Sequence, residues 1–208
     1  MMDTVGHTHT GPHAPRPDHD DTLTHHKMLE IAVRELMIEK GILTADELRV
    51  AIEQMDARGP HQGAKIVAKA WTDAAFKARL LKDGTAGAEE AGVQMDHATR
   101  LVVVENTPDV HNLVVCTLCS CYPRMVLGLP PDWYKSRAYR SRAANEPRAV
   151  LAEFGTRLPE HVAVRVHDST ADMRYLVLPM RPKGTDGYDE AKLAALVTRD
   201  SMIGVTTL

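Results

Sequence analysis

Residues 114–123 read VVCTLCSCYP and hold all three cysteines of the 208-residue chain, Cys116, Cys119 and Cys121. Thiols that are odd in number and confined to one loop do not make a disulfide framework. The apolar run NLVVC, 112–116, ends on the first of them. That predicts a strand delivering Cys116 to a sheet edge. A tight turn would then gather the three sulfurs on one face, where a borderline or soft metal ion is their natural occupant. Other readings compete. Structural zinc takes four ligands in paired clusters; no second C-x-x-C exists, although His97 or His111 could serve as a fourth. An iron–sulfur cluster also asks for four cysteines. A Cys116–Cys119 dithiol should open a helix, whereas Pro123 and the stretch 128–131 predict a loop. Only Ser120 separates Cys119 from Cys121, too short a link for a relaxed two-thiolate bite. A metal held there would lie against the backbone nitrogens of Ser120 and Cys121, donors that favour a trivalent Lewis acid with one open position.

The rest of the composition narrows the setting. The hydrophobic fraction of 44% is that of a soluble globular chain able to bury a core. With 25 basic against 28 acidic residues and no basic stripe, nucleic-acid binding is not expected. No apolar run reaches the roughly 20 residues of a membrane span. The start, MMDTVGHTHTGPHAPRPDHDD, lacks a signal-peptide layout. These features, with the unpaired cysteine count, point to a cytoplasmic, reduced protein.

Residues 1–22 are polar and rich in His and Pro, and are expected to be a disordered, His-rich leader. A helical arm is expected over 23–83. Its first helix ends at Gly41, and its second opens on a Thr44–Glu47 capping box. A third helix is predicted over 64–82, with Trp71 and Phe76 packing rather than facing a ligand. Residues 84–98 read as linker. Beyond lie the β-rich runs 101–105, 112–116, 162–167 and 174–180, with helices in EPRAVLAEFG and DEAKLAALVTR. The fold class is therefore α+β, with 84–208 as the metal-binding catalytic domain.

VCTLCSCYP, followed by VLGLPPDWYKSRAYRSR, EPRAVLAEFG, RYLVLPMRPKGTDG and VTRDSMIGV, resembles the α subunit of nitrile hydratases. AKIVAKAWTDAAFKARLL and VVVENTPDVHN match the same family, so the likeness runs from about residue 60 to 205. It implies a layered α-β-β-α domain. It also implies one low-spin trivalent metal held by the sulfurs of Cys116, Cys119 and Cys121 and the amide nitrogens of Ser120 and Cys121. Cys119 would become a sulfinic acid and Cys121 a sulfenic acid. Thr117 and Tyr122 match the cobalt-type motif, which implies Co(III) rather than iron. The implied activity is hydration of a small nitrile to its amide, with Cys121 and Ser120 as the catalytic residues. The implied partner is a β subunit, in an αβ or α2β2 assembly, whose arginines bond the oxidised sulfurs. The inertness of cobalt(III) leaves room for an activator protein that loads it.

Two departures bear on the substrate. Where cobalt-type members read C-Y-P-W-P, this chain has Arg124 and Met125, exchanging an apolar wall for a guanidinium suited to anions. C-Y-P-R, like His167 in RVHDSTAD, resembles the γ subunit of thiocyanate hydrolase, which makes that enzyme the alternative. A non-catalytic metal-binding protein is the alternative from another class. The family's pocket glutamine corresponds to His97, whose imidazole would add acid–base character, or, if the loop shifts, to Gln94. His111 is expected to order the chain before the cluster. Trp133, Tyr134, Tyr139, Arg137, Arg140 and Arg142 are expected either at a partner interface or in support behind the metal ligands, the interface being the favoured reading.

Overall fold

The computed structural model describes residues 24–96, 98–119 and 121–208. The leader 1–22, His97 and Ser120 lie outside the described residues. Contacts divide the chain into two compact units, 1–57 and 58–208. The first unit contributes α1 (His25–Glu39) and α2 (Ala45–Asp56). Gly41 stops α1's exit with φ +66. Thr44 and Glu47 form the expected capping box, the hydroxyl accepting from Glu47 N at 3.1 Å and the carboxylate from Thr44 N at 2.7 Å.

The second unit runs α3 (Pro60–Thr72), α4 (Ala74–Lys82), α5 (Gly84–Glu90), β1 (Arg100–Glu105), β2 (Val110–Val115), α6 (Arg124–Leu127), α7 (Asp132–Lys135), α8 (Arg137–Asn145), α9 (Pro147–Glu153), β3 (Ala163–Asp168), β4 (Met173–Leu178), α10 (Glu190–Leu196) and α11 (Arg199–Ile203). Here several sequence expectations are corrected. The boundary falls at 57/58 rather than 83/84, because α3 and α4 pack on α10, β1 and one another. The single helix expected over 64–82 breaks at Asp73, which turns extended and caps α4 by accepting from Phe76 N at 2.9 Å. The expected linker contains α5. Its Gly and Ala residues are there for close approach: a Cβ on Gly84 would stand 2.6 Å from the Leu101 carbonyl oxygen. The loop expected around Pro123 contains the short turn α6.

β1 pairs in parallel with β4, and β2 in parallel with β3, as two separate two-stranded sheets. α4 and α5 cover β1, the two sheets meet through β2 and β4, and α8 and α9 cover β2 and β3. This is the layered α-β-β-α arrangement. β2 lies at its centre, with every residue from His111 to Val115 buried. A strand enclosed on both faces reads as an almost unbroken apolar run. Full burial of Leu113, Val114 and Val115 stabilises the fold by about 1.5–3 kcal/mol each.

The two polar residues of β2 are satisfied internally. His111 donates from Nε2 to the Gly204 carbonyl at 2.6 Å, and its Nδ1 faces the Asn106 amide at 3.4 Å. Asn112 takes bonds from His167 Nε2 at 2.8 Å and gives them to Glu105 O at 2.8 Å and Asn106 Oδ1 at 3.0 Å. Among the described residues no helix is long and apolar enough to cross a membrane.

Candidate metal centre

The buried end of β2 fixes Cys116, which is 1% exposed and follows Val115 directly. The chain then turns sharply, and Cys119 N points back to the Cys116 sulfur at 3.3 Å. Cys116 Sγ lies 3.3 Å from Cys119 Sγ, and Cys119 Sγ lies 3.1 Å from Cys121 Sγ. All three sulfurs fall within 4.8 Å of one another. Three thiolate donors converging on one point suit a soft or borderline cation.

Two clamps hold this turn. The β2–β3 register sets Val115 opposite Asp168, the last residue of β3. Asp168 therefore reaches the first residue past Cys116, accepting from Thr117 N at 2.9 Å and Thr117 Oγ1 at 2.6 Å. On the far side, the Tyr134 hydroxyl donates to the Cys121 carbonyl at 2.8 Å. Tyr139 donates to Val114 O at 2.6 Å, just upstream. Burial pushes both phenols well above their usual range, so each stays a donor. The rings are locked edge-on: Tyr134 with Tyr122 at 4.9 Å, and Trp133 with Tyr139 at 4.9 Å.

These positions correct the partner-facing expectation for Tyr134 and Tyr139, which are 0% and 5% exposed within the chain itself. Arg142 is committed to Glu146 and Glu153 by ion pairs. Arg140 reaches the Thr117 carbonyl at 3.4 Å, supporting the cysteine turn. His111 is not a further metal donor, since its ring nitrogens face Gly204 and Asn106. Burial holds it, like His167, below the usual histidine value.

Burial pushes the Cys121 thiol up to about 12. Its contacts with Cys119 and Cys116 add to this, and the Arg174 charge opposes it. A cation binding here has to displace that proton, so uptake releases acid and weakens as pH falls.

A cavity of about 430 Å³ opens beside Cys119 and Cys121. Its wall comes from Arg58, Met95, Asp96, Thr99, Leu101, residues 122–126, and Arg174. Arg124 is on this wall and also reaches solvent. Gly128 allows Arg58 in: with φ +72 it presents no side chain where a Cβ would stand 2.6 Å from Arg58 O. Arg174 lies across from Leu101 in the β1–β4 register, and its Nη1 is fixed on the carbonyls of Thr170, Ala171 and Met173. Gln94 is exposed, while Met95 and Asp96 reach the wall. Sequence reasoning passed over Arg58, which sits in a chain break, and Arg174. Neither carries a local signal, because the cavity wall is assembled from distant segments.

A three-cysteine turn at a strand end, clamped inside an α-β-β-α unit beside a cavity, places a site able to hold a metal ion in a protein of the layered α+β class. Residues 24–206 match the family described as "Nitrile hydratase, alpha chain", and the chain belongs to that family. It is 53% identical over 176 residues to the cobalt-containing nitrile hydratase subunit alpha of Pseudonocardia thermophila, covering 84% of this chain and 86% of that one. It is 45% identical over 190 residues to the thiocyanate hydrolase subunit gamma of Thiobacillus thioparus, covering 86% and 78%. A solved structure of recombinant thiocyanate hydrolase with partially modified cobalt centres superposes with a TM-score of 0.82 at 44% identity, over 88% of this chain and 89% of that one.

Proposed function

We propose that this chain is the α subunit of a cobalt nitrile hydratase, which adds water across a C≡N bond to give the amide. The observation that carries the reading is the convergence of three sulfurs within 4.8 Å on the edge of a 430 Å³ cavity. The relatives named as cobalt-containing support the choice of metal. Cys116, Cys119 and Cys121, with the amide nitrogens of Ser120 and Cys121, would hold the ion. Bound cobalt(III) would supply Lewis acidity that makes the nitrile carbon electrophilic. In this reading dioxygen oxidises Cys119 to the sulfinic and Cys121 to the sulfenic level. The oxygen on Cys121 would take a proton from the attacking water, whose oxygen bonds to carbon as one C≡N π bond breaks. That proton then passes to nitrogen, the remaining hydroxyl proton follows as the imidate tautomerises to the amide, and no electrons are gained or lost.

The reading includes a β subunit that closes the site. Leu118, at the tip of the cysteine turn, is 90% exposed. An apolar side chain at the rim of a metal site is suited to burial by a partner. Loading by an activator protein belongs to the same reading. A second reading, the thiocyanate hydrolase γ subunit, is favoured by one observation: Arg124 stands on the cavity wall.

The test is to purify the chain with its copurifying β subunit, measure metal content, and weigh the 114–123 peptide by mass spectrometry. Stoichiometric cobalt, added oxygen on Cys119 and Cys121, and conversion of acrylonitrile to acrylamide are expected. Thiocyanate consumption without acrylamide would favour the second reading. Zinc with unmodified thiols would sink both and leave a non-catalytic metal-binding protein.

A further inference from the structure

Three arginines, Arg58, Arg124 and Arg174, line the cavity beside the sulfurs, against one acidic residue, Asp96. One carboxylate cannot neutralise three guanidiniums, which hold their charge at any working pH. The three arginines also come from independently fixed places. The Arg58 backbone is seated against Gly128. Arg124 opens α6, with its N–H on Tyr122 O at 2.8 Å. Arg174 is anchored at the turn that precedes and opens β4. A volume of 430 Å³ lies within the range of small-molecule sites and leaves room for a substrate tail as well as the C≡N group.

From this arrangement we infer that the site selects nitriles whose tail ends in a carboxylate, such as 3-cyanopropanoate. The inference rests on the nitrile hydratase reading given above. With the C≡N group at the sulfurs, the tail extends along a wall that offers planar, forked donors. A carboxylate accepts from such a fork in two parallel bonds, a pairing stronger than one between neutral groups. An alkyl tail could pack against Met95, Leu101 and Met125, but it would leave the arginines beside it desolvated and unpaired. Thiocyanate carries its charge on a three-atom rod, so it brings no separate anionic tail to the wall.

The experiment compares 3-cyanopropanoate with its neutral isostere 3-cyanopropanamide, and both with thiocyanate, using the cobalt-loaded complex. The anionic nitrile is expected to have a kcat/KM roughly tenfold or more above that of the amide. The difference should lie mainly in KM, since the tail is bound alike in ground and transition states. Arg124→Gln and Arg58→Gln should each narrow the gap, and added salt should narrow it further. A readout without turnover is calorimetric binding of succinamate, the product of the anionic nitrile, which should weaken in both variants while melting temperatures hold. Equal kcat/KM for acid and amide, or succinamate binding unchanged in both variants, overturns the inference while leaving the hydratase reading intact. Thiocyanate turnover with neither nitrile hydrated overturns the hydratase reading itself.

Discussion

Tyr134→Phe isolates the clamp on the far side of the cysteine turn. Phenylalanine keeps the ring in place, edge-on to Tyr122 at 4.9 Å and beside Tyr139 at 5.6 Å, so packing is conserved. What is lost is the donor to the Cys121 carbonyl, 2.8 Å away. Tyr134 is fully buried and Cys121 half-buried, so water can replace the lost donor only in part. Losing one such bond costs about 1–2 kcal/mol, a factor of roughly 5–30 in the equilibrium between ordered and disordered turn. The assay is cobalt loss from the αβ complex to excess chelator, followed by metal analysis, with thermal unfolding run in parallel. Tyr139→Phe is the control: it removes the same group from the same ring cluster, but its bond ends on Val114 O, inside strand β2. Both variants should melt lower, and only Tyr134→Phe should release cobalt markedly faster. If Tyr139→Phe loses cobalt just as fast, or Tyr134→Phe retains it like the unaltered protein, the clamp argument fails.

Asp168→Ala removes both acceptors from Thr117, so cobalt loss to chelator should speed several-fold while the melting temperature moves little; an unchanged rate would show that the exposed clamp contributes nothing. Gly204→Ala should destabilise the fold by more than about 2 kcal/mol, since φ is +87 and a Cβ would stand 1.9 Å from Asn112 O, and a denaturant midpoint like that of the unaltered chain would contradict this. Burial depresses His111 and His167 below the ordinary histidine value of about 6.5, so as pH falls the unfolded chain takes up protons first. Stability from both is therefore full above about pH 6.5 and declines as pH falls from there through the folded-state values; a denaturant midpoint flat from pH 7 to pH 5 would refute it.

What could be read from sequence was whatever depends on neighbours along the chain. The apolar run before Cys116 did become a strand, and the three sulfurs did converge, because a turn of three residues and one of two leave few alternatives. The Thr44–Glu47 capping box and the Gly41 stop are equally local. What escaped were consequences of packing. The Gly and Ala residues of 84–90 have linker composition, yet their small size is what lets α5 lie against Leu101 and Leu80. Asp73 looked like one polar residue on a helix surface, and it ends one helix and caps the next. Tyr134 and Tyr139 carry interface-type chemistry, but their hydroxyls find carbonyls inside the chain. Arg58 and Arg174 meet Arg124 only after two parallel strand pairs, each joining segments far apart in sequence, have formed.

Those strand pairs also explain why the site sits where it does. β3 belongs with β2 and β4 with β1, so the short connection 169–172 carries the chain from one sheet to the other. Asp168 stands at the entrance to this crossover and holds the cysteine turn through Thr117. Arg174 stands just past its exit, with Nη1 fixed on the crossover's own carbonyls, and forms part of the cavity wall. The three sulfurs and the arginine-bearing wall are therefore referenced to the same few residues, each end of which is pinned by a parallel ladder. A distortion of the crossover would move both together. A substitution confined to the outer wall, at Arg124 or the Arg58 side chain, should leave the sulfurs undisturbed.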